Sequence, residues 1–155
     1  MRTLSVLTCT ALCLAASRLF AADVGVEDPY ARAVPPGQPN SAVFMVLTNS
    51  GAEPRALVAA ESDAAGTVEL HTHSMADGMM KMRRIERIEL PAGEPVTLKP
   101  GGLHVMLIGL AEQLTPGMTV DLTLVFDDDS RQSVTAPVRR IDVGAMGGHG
   151  GAGGH

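Results

Sequence analysis

"GGLHVMLIGL", residues 101–110, alternates with a period of two: Leu103, Val105 and Leu107 fall on one face, His104 and Met106 on the other. Apolar residues at that spacing, introduced by a glycine pair, read as a strand. The same reading extends outward along the chain. "SAVFMVLTNSG" (41–51), "RALVAAES" (55–62), "TVELHTH" (67–73), "GMMKMRRIERIEL" (78–90), "EPVTLKP" (94–100), "MTVDLTLVF" (118–126) and "RQSVTAPVRRIDV" (131–143) are apolar or alternating runs separated by Gly, Pro or Asp groups. Val120, Leu122 and Leu124 all face one way. "VPPGQPN" (34–40) reads as a rigid, solvent-facing loop, because its prolines cannot donate to a central ladder. No amphipathic helix of three turns is present, and a short helical turn is expected at most near Leu110 to Leu114. Short strands at this density specify an all-β domain, an antiparallel β-sandwich or Greek-key barrel over residues 23–143. There is no internal repeat.

The two ends differ in kind from this middle. Residues 1–22 carry Arg2, an apolar run from Leu4 to about Ala16, and Ala21 and Ala22. That is the layout of a secretory signal peptide, and the run is short for a membrane span. A cut after Ala21 or Ala22 fits best. An uncleaved anchor fits less well, and a lipid-modified Cys9 or Cys13 fits worse still, since neither follows a pair of small residues. Residues 144–155, "GAMGGHGGAGGH", form a glycine-rich tail that cannot bury a core and is expected to be disordered.

These boundaries change the chemistry available. Both cysteines of the chain, Cys9 and Cys13, lie in the leader. The exported part then has no thiolate, which excludes thiolate zinc centres, redox dithiols, cysteine nucleophiles and a blue-copper centre. Removing Arg2 and Arg18 leaves ten basic against seventeen acidic residues, a net charge of −7 with histidine neutral. An acidic chain with no Trp, one Tyr and three Phe is a poor partner for nucleic acid or anionic lipid. Export points to the periplasm, with no membrane insertion of the mature domain.

A strand with a sound apolar face seldom places histidine and methionine together on the other, so His104 and Met106 call for partners. His71 stands in "TVELHTH", where Val68 and Leu70 are expected to face the core and Glu69, His71 and His73 to face out. Met82 stands in a methionine-rich segment. Ten residues separate His71 from Met82, twenty-one separate Met82 from His104, and one separates His104 from Met106. Three adjacent strands of a sandwich could bring the four to one end. The donors suit Cu(I): thioethers are soft, imidazole suits copper, and four neutral ligands leave a bound charge of only +1. Zinc usually takes thiolate or carboxylate, and calcium or magnesium takes oxygen.

That spacing, together with "ELHTHSM", "KPGGLHVMLIGL" and "LTPGMTVDLTLVF", resembles the periplasmic copper chaperones called PCu(A)C, over nearly all of the mature domain. The resemblance implies a cupredoxin-like β-sandwich whose Cu(I) ligands are His71, Met82, His104 and Met106. It also implies copper delivery for assembly of cytochrome c oxidase, with oxidase subunit II, a Sco-type copper chaperone, or both as partners, and a monomeric carrier that is not an enzyme. Some members of that family carry a Met- and His-rich extension that binds Cu(II). Met146, His149 and His155 are therefore expected as secondary Cu(II) ligands in the tail.

Each residue taken singly has a plainer reading. Methionine fills cores, and a lone His71 or His104 is more often a satisfied or surface histidine than a ligand. Four at this spacing on outward faces favour the metal. His73, Met75, Met79 and Met80 read more simply as loop residues than as a soft entry path for copper, and Arg83 and Arg84 as a solvated edge. A redox enzyme or electron-transfer cupredoxin is disfavoured by the missing cysteine and by the absence of an open coordination position. A structural sandwich with incidental methionines would fail to bind Cu(I). Copper storage or resistance would use the same site as delivery.

Overall fold

The computed structural model describes residues 23–141. The signal-peptide segment and the tail ligands Met146, His149 and His155 lie outside them. In chain order the strands are β1 (Val24–Arg32), β2 (Asn40–Asn49), β3 (Arg55–Glu61), β4 (Ala65–Ala76), β5 (Met79–Ile85), β6 (Ile88–Leu90), β7 (Pro95–Leu98), β8 (His104–Leu110), β9 (Thr119–Phe126) and β10 (Arg131–Arg139). No helix occurs among the described residues, so the helical turn expected near Leu110 to Leu114 is absent. That segment leaves β8 as an irregular connection, held where the Leu114 carbonyl accepts from the Val34 N–H.

The strands follow the order β5-β4-β8-β2-β1-β10-β9-β3-β6, with β7 also paired to β2. The chain passes repeatedly between the first half of this order and the second, and the ladder folds over at β10 into a cupredoxin-like sandwich. Every strand pair is antiparallel except β1 with β10, which run parallel at Ala31–Val138 and Arg32–Arg139. "GMMKMRRIERIEL" does not form one strand. It gives β5 at one edge of the order and β6 at the other, with the crossing at Glu86 and Arg87.

The inner faces supply the core. Val105 and Leu107 of β8, Leu70 of β4, Val43, Met45 and Leu47 of β2, and Val120, Leu122, Leu124 and Phe126 of β9 are buried in one cluster. Burying each such side chain is worth about 1.5–3 kcal/mol relative to leaving it in water. β2 is buried on both faces along much of its length. Its inward residues meet the core, while Ala42 and Phe44 on its other face border a cavity of about 230 Å³. The second cover over β2 therefore belongs to a site.

Candidate metal centre

Two ladders bring the candidate donors together. In β4 and β8, His71 pairs with His104 and Glu69 with Met106. In β4 and β5, His73 pairs with Met82 and Met75 with Met80. Directly paired residues share a face, so His71, His73, Met82, His104 and Met106 all lie on the outer face of three adjacent strands. The separations along the chain become lateral neighbours because β4 lies between β5 and β8. Arg32, Gln38, Asn40, Phe44, Pro100 and Ile141 complete the cavity wall around His73, Met82, His104 and Met106. Gln38 and Asn40 lie at the end of the proline-containing loop, which thus borders the cavity as well as facing solvent.

His104 is on the outer face, as its alternation requires, yet it is 2% exposed. Phe44 lies with its ring centre 6.2 Å away, and Tyr30 stacks behind Phe44 at 5.3 Å. The turn before β8 fixes the ring. Gly101 has φ of +79° at the third position of Lys99–Gly102, Pro100 precedes it, and the Gly102 N–H donates to the Lys99 carbonyl at 3.0 Å. This is a type II turn, in which that position favours glycine. The Gly102 carbonyl then accepts from His104 Nδ1–H at 2.9 Å. With the proton held on Nδ1, the lone pair of a neutral His104 sits on Nε2. Burial lowers the His104 pKa; the Gly102 hydrogen bond opposes this and nearby His73 and His71 reinforce it. The ring is thereby held neutral, the form a metal requires.

His71 is oriented differently. Its Nε2–H donates to the Glu69 carboxylate at 2.7 Å, and Glu69 also faces Arg84 at 3.6 Å. Arg84 is a solvated edge residue, its side chain 70% exposed, that also faces Glu69. His71 Nδ1 is buried and has no hydrogen-bond partner, and the same is true of His73 Nδ1. Unpaired buried nitrogens are uncommon enough to require a reason, and a soft cation on this face would supply one. A carboxylate behind a ligating histidine is a usual support for a metal site. Among the described residues no three His, Cys, Asp or Glu side chains form a metal-holding group on their own, so a centre here needs its thioethers.

His73, Met75, Met79 and Met80, read from the sequence as loop residues, belong to β4 and β5. Asp77 and Gly78, with φ of +53° and +73°, form the two-residue turn between these strands. Met75, Met79 and Met80 stand exposed near its tip, while Met82 is 45% exposed beside the cavity. Sequence reasoning missed the contributions of Glu69 and His73. The alternation that selected His71 already put both on the same face, but their partners become evident only from the cross-strand register.

A family model described as "Putative lipoprotein LpqE-like" matches residues 24–138. "Putative lipoprotein Lxx21020" of Leifsonia xyli subsp. xyli is 35% identical over 104 residues, 66% of this chain and 63% of that protein. The chain thus spans less than two thirds of this curated relative. Among solved structures, the copper-bound PCuAC domain from PmoF2 superposes with a TM-score of 0.65 at 27% identity, covering 77% of this chain and 94% of that one. The apo form of DR1885 from Deinococcus radiodurans gives 0.61 at 33% identity, covering 91% and 95%. Its Cu(I) form gives 0.56 at 36% identity, covering 74% and 78%.

Proposed function

Since the chain belongs to the LpqE-like, PCu(A)C family, we propose that it is an exported copper carrier that binds Cu(I) through His71, Met82, His104 and Met106. The observation that carries this reading is their convergence on one outer sheet face around a neutral, buried His104 with its Nε2 lone pair free. Two imidazoles and two thioethers match the softness of Cu(I) and select against calcium, magnesium and zinc. Copper in the Cu(I) form of DR1885 and in PmoF2 supports the choice of metal. Export to the periplasm rests on the amino-terminal segment and agrees with the lipoprotein wording of the family description.

The cargo is held and released by ligand exchange. His104 and its glycine turn provide a fixed point inside the cavity, and Met82 provides the exposed side by which an acceptor donor can approach. Methionine carries no proton, so exchange at Met82 or Met106 needs no proton transfer at the sulfur. Delivery for assembly of cytochrome c oxidase, to subunit II or through a Sco-type chaperone, is the proposed destination, and the carrier needs no catalytic step for it. The tail residues Met146, His149 and His155 are proposed as a secondary site for Cu(II).

X-ray absorption on the Cu(I)-loaded protein tests the centre: mixed nitrogen and sulfur scattering is expected, and an oxygen-only shell overturns it. Delivery is tested by NMR, with Cu(I) protein added to the soluble domain of oxidase subunit II. Shifts at the acceptor's copper ligands support delivery; copper retained by the carrier favours storage.

A further inference from the structure

The four-donor reading stops at His71, yet β4 carries a second imidazole one pleat further along the same face. His73 lies directly opposite Met82. It lines the cavity together with Met82, His104 and Met106, whereas His71 does not line it. The ring centre of His73 is 5.3 Å from that of His104, closer than the 5.8 Å between His71 and His104. Two imidazoles bound to one ion at about 2 Å from metal to nitrogen hold their ring centres about 4.5 Å apart at a right angle and about 6.3 Å apart when opposed. Both observed spacings fall inside that window, and that of His73 lies close to the tetrahedral value of about 5.1 Å. His73 Nδ1 is also buried without a hydrogen-bond partner.

We infer that His73 is a fifth donor of this centre, giving it three imidazoles and two thioethers, and that the third imidazole lets the cavity hold Cu(II) as well as Cu(I). The inference rests on the four-donor reading and extends it. Cu(I) is served by the thioethers with two imidazoles. Cu(II) prefers nitrogen and oxygen donors in a tetragonal arrangement, and His73 adds an imidazole on the cavity wall beside His104, with the thioethers still needed to complete the set. The His104 ring centre is 5.8 Å from that of His71 and 5.3 Å from that of His73, near enough to share an ion with either.

The test uses the full chain carrying His149→Ala and His155→Ala, which removes the tail imidazoles, with and without His73→Gln. Circular dichroism confirms folding, and His73→Leu serves as a second variant. Cu(II) sulfate is titrated and followed by electron paramagnetic resonance, and Cu(I) affinity is measured by competition with a chromophoric chelator. Loss of His73 is expected to lower Cu(II) affinity by about tenfold or more, to lower Cu(I) affinity less, and to remove one nitrogen from the superhyperfine pattern. An unchanged nitrogen count, or equal losses for the two oxidation states, overturns the role of His73. Weak Cu(I) binding by the parent chain instead overturns the four-donor reading, and this inference falls with it.

Discussion

His104 joins three properties that pull against one another: it is buried, titratable and the proposed ligand of a cation. Burial lowers its pKa below the ordinary histidine value, and His71, His73 and Arg32 are the basic groups that share its face or line its cavity. The sign follows from proton binding. Between the lowered folded pKa and the unfolded value of about 6.5, the unfolded chain binds more protons than the folded one. Stability is therefore complete above about pH 6.5 and is lost as pH falls through that window. Thermal unfolding of the metal-free protein is expected to show a falling Tm below pH 6.5, with a shallower fall in His104→Gln; equal slopes would refute this. A second prediction contrasts neighbours on opposite faces of β8. Leu107 is fully buried, so Leu107→Ala should cost about 2–5 kcal/mol in denaturant unfolding. Met106 lines the cavity, so Met106→Ala should weaken Cu(I) binding in competition titrations with a smaller loss of stability. Normal copper affinity in Met106→Ala would count against its role. Alternation alone made the division between Leu107 and Met106 legible. It could not make the burial of His104 legible, because Phe44 and Tyr30 come from β2 and β1, far away in sequence.

At the scale of the element, most strands could be read from apolar runs ending at turn residues. The exceptions have a physical reason. β5 and β6 are divided at Glu86 and Arg87, with neither Gly nor Pro to mark the crossing. What separates them is the ladder each joins, β5 on β4 and β6 on β3, which is long-range information. The β4–β5 hairpin is local by contrast: Asp77 and Gly78 both take positive φ, which matches a two-residue type I′ turn. That turn sets the register opposing His73 to Met82, so His73 and Met80 are strand residues instead of loop residues. The turn before β8 gives the element-scale prediction. A Cβ at Gly101 would meet nothing within 4 Å, so only the backbone conformation resists substitution there. Gly101→Ala should destabilise the protein by about 1–2 kcal/mol, the cost of a left-handed conformation in an L-residue, and Gly101→Asn should cost less. Urea unfolding of the two variants checks this, and no difference between either variant and the parent would show that the turn relaxes freely. Because the same turn delivers the Gly102 carbonyl to His104 Nδ1, Gly101→Ala is also expected to weaken Cu(I) binding.

At the scale of the whole molecule, the parallel pairing of β1 with β10 decides where the chain goes next. Ala31 and Arg32 hold Val138 and Arg139, and Ile141 then lies in the cavity wall. Ile141, the last described residue, therefore borders the candidate copper site, a proximity no periodicity in the sequence could reveal. His149 is eight residues beyond Ile141, and eight residues span at most about 28 Å. If the tail holds a metal as proposed, such a tether sets its effective concentration at the cavity by length and not by bulk concentration. Imidazole and backbone amides in a glycine-rich segment offer Cu(II) nitrogen donors, with Met146 the sole thioether there. Deleting everything after Val143 should leave unfolding and Cu(I) affinity unchanged while removing one equivalent of bound Cu(II), counted by integrating the paramagnetic signal. His149→Ala with His155→Ala in the full chain should remove the same equivalent. If the shortened protein takes up as much Cu(II) as the full chain, the tail holds no metal.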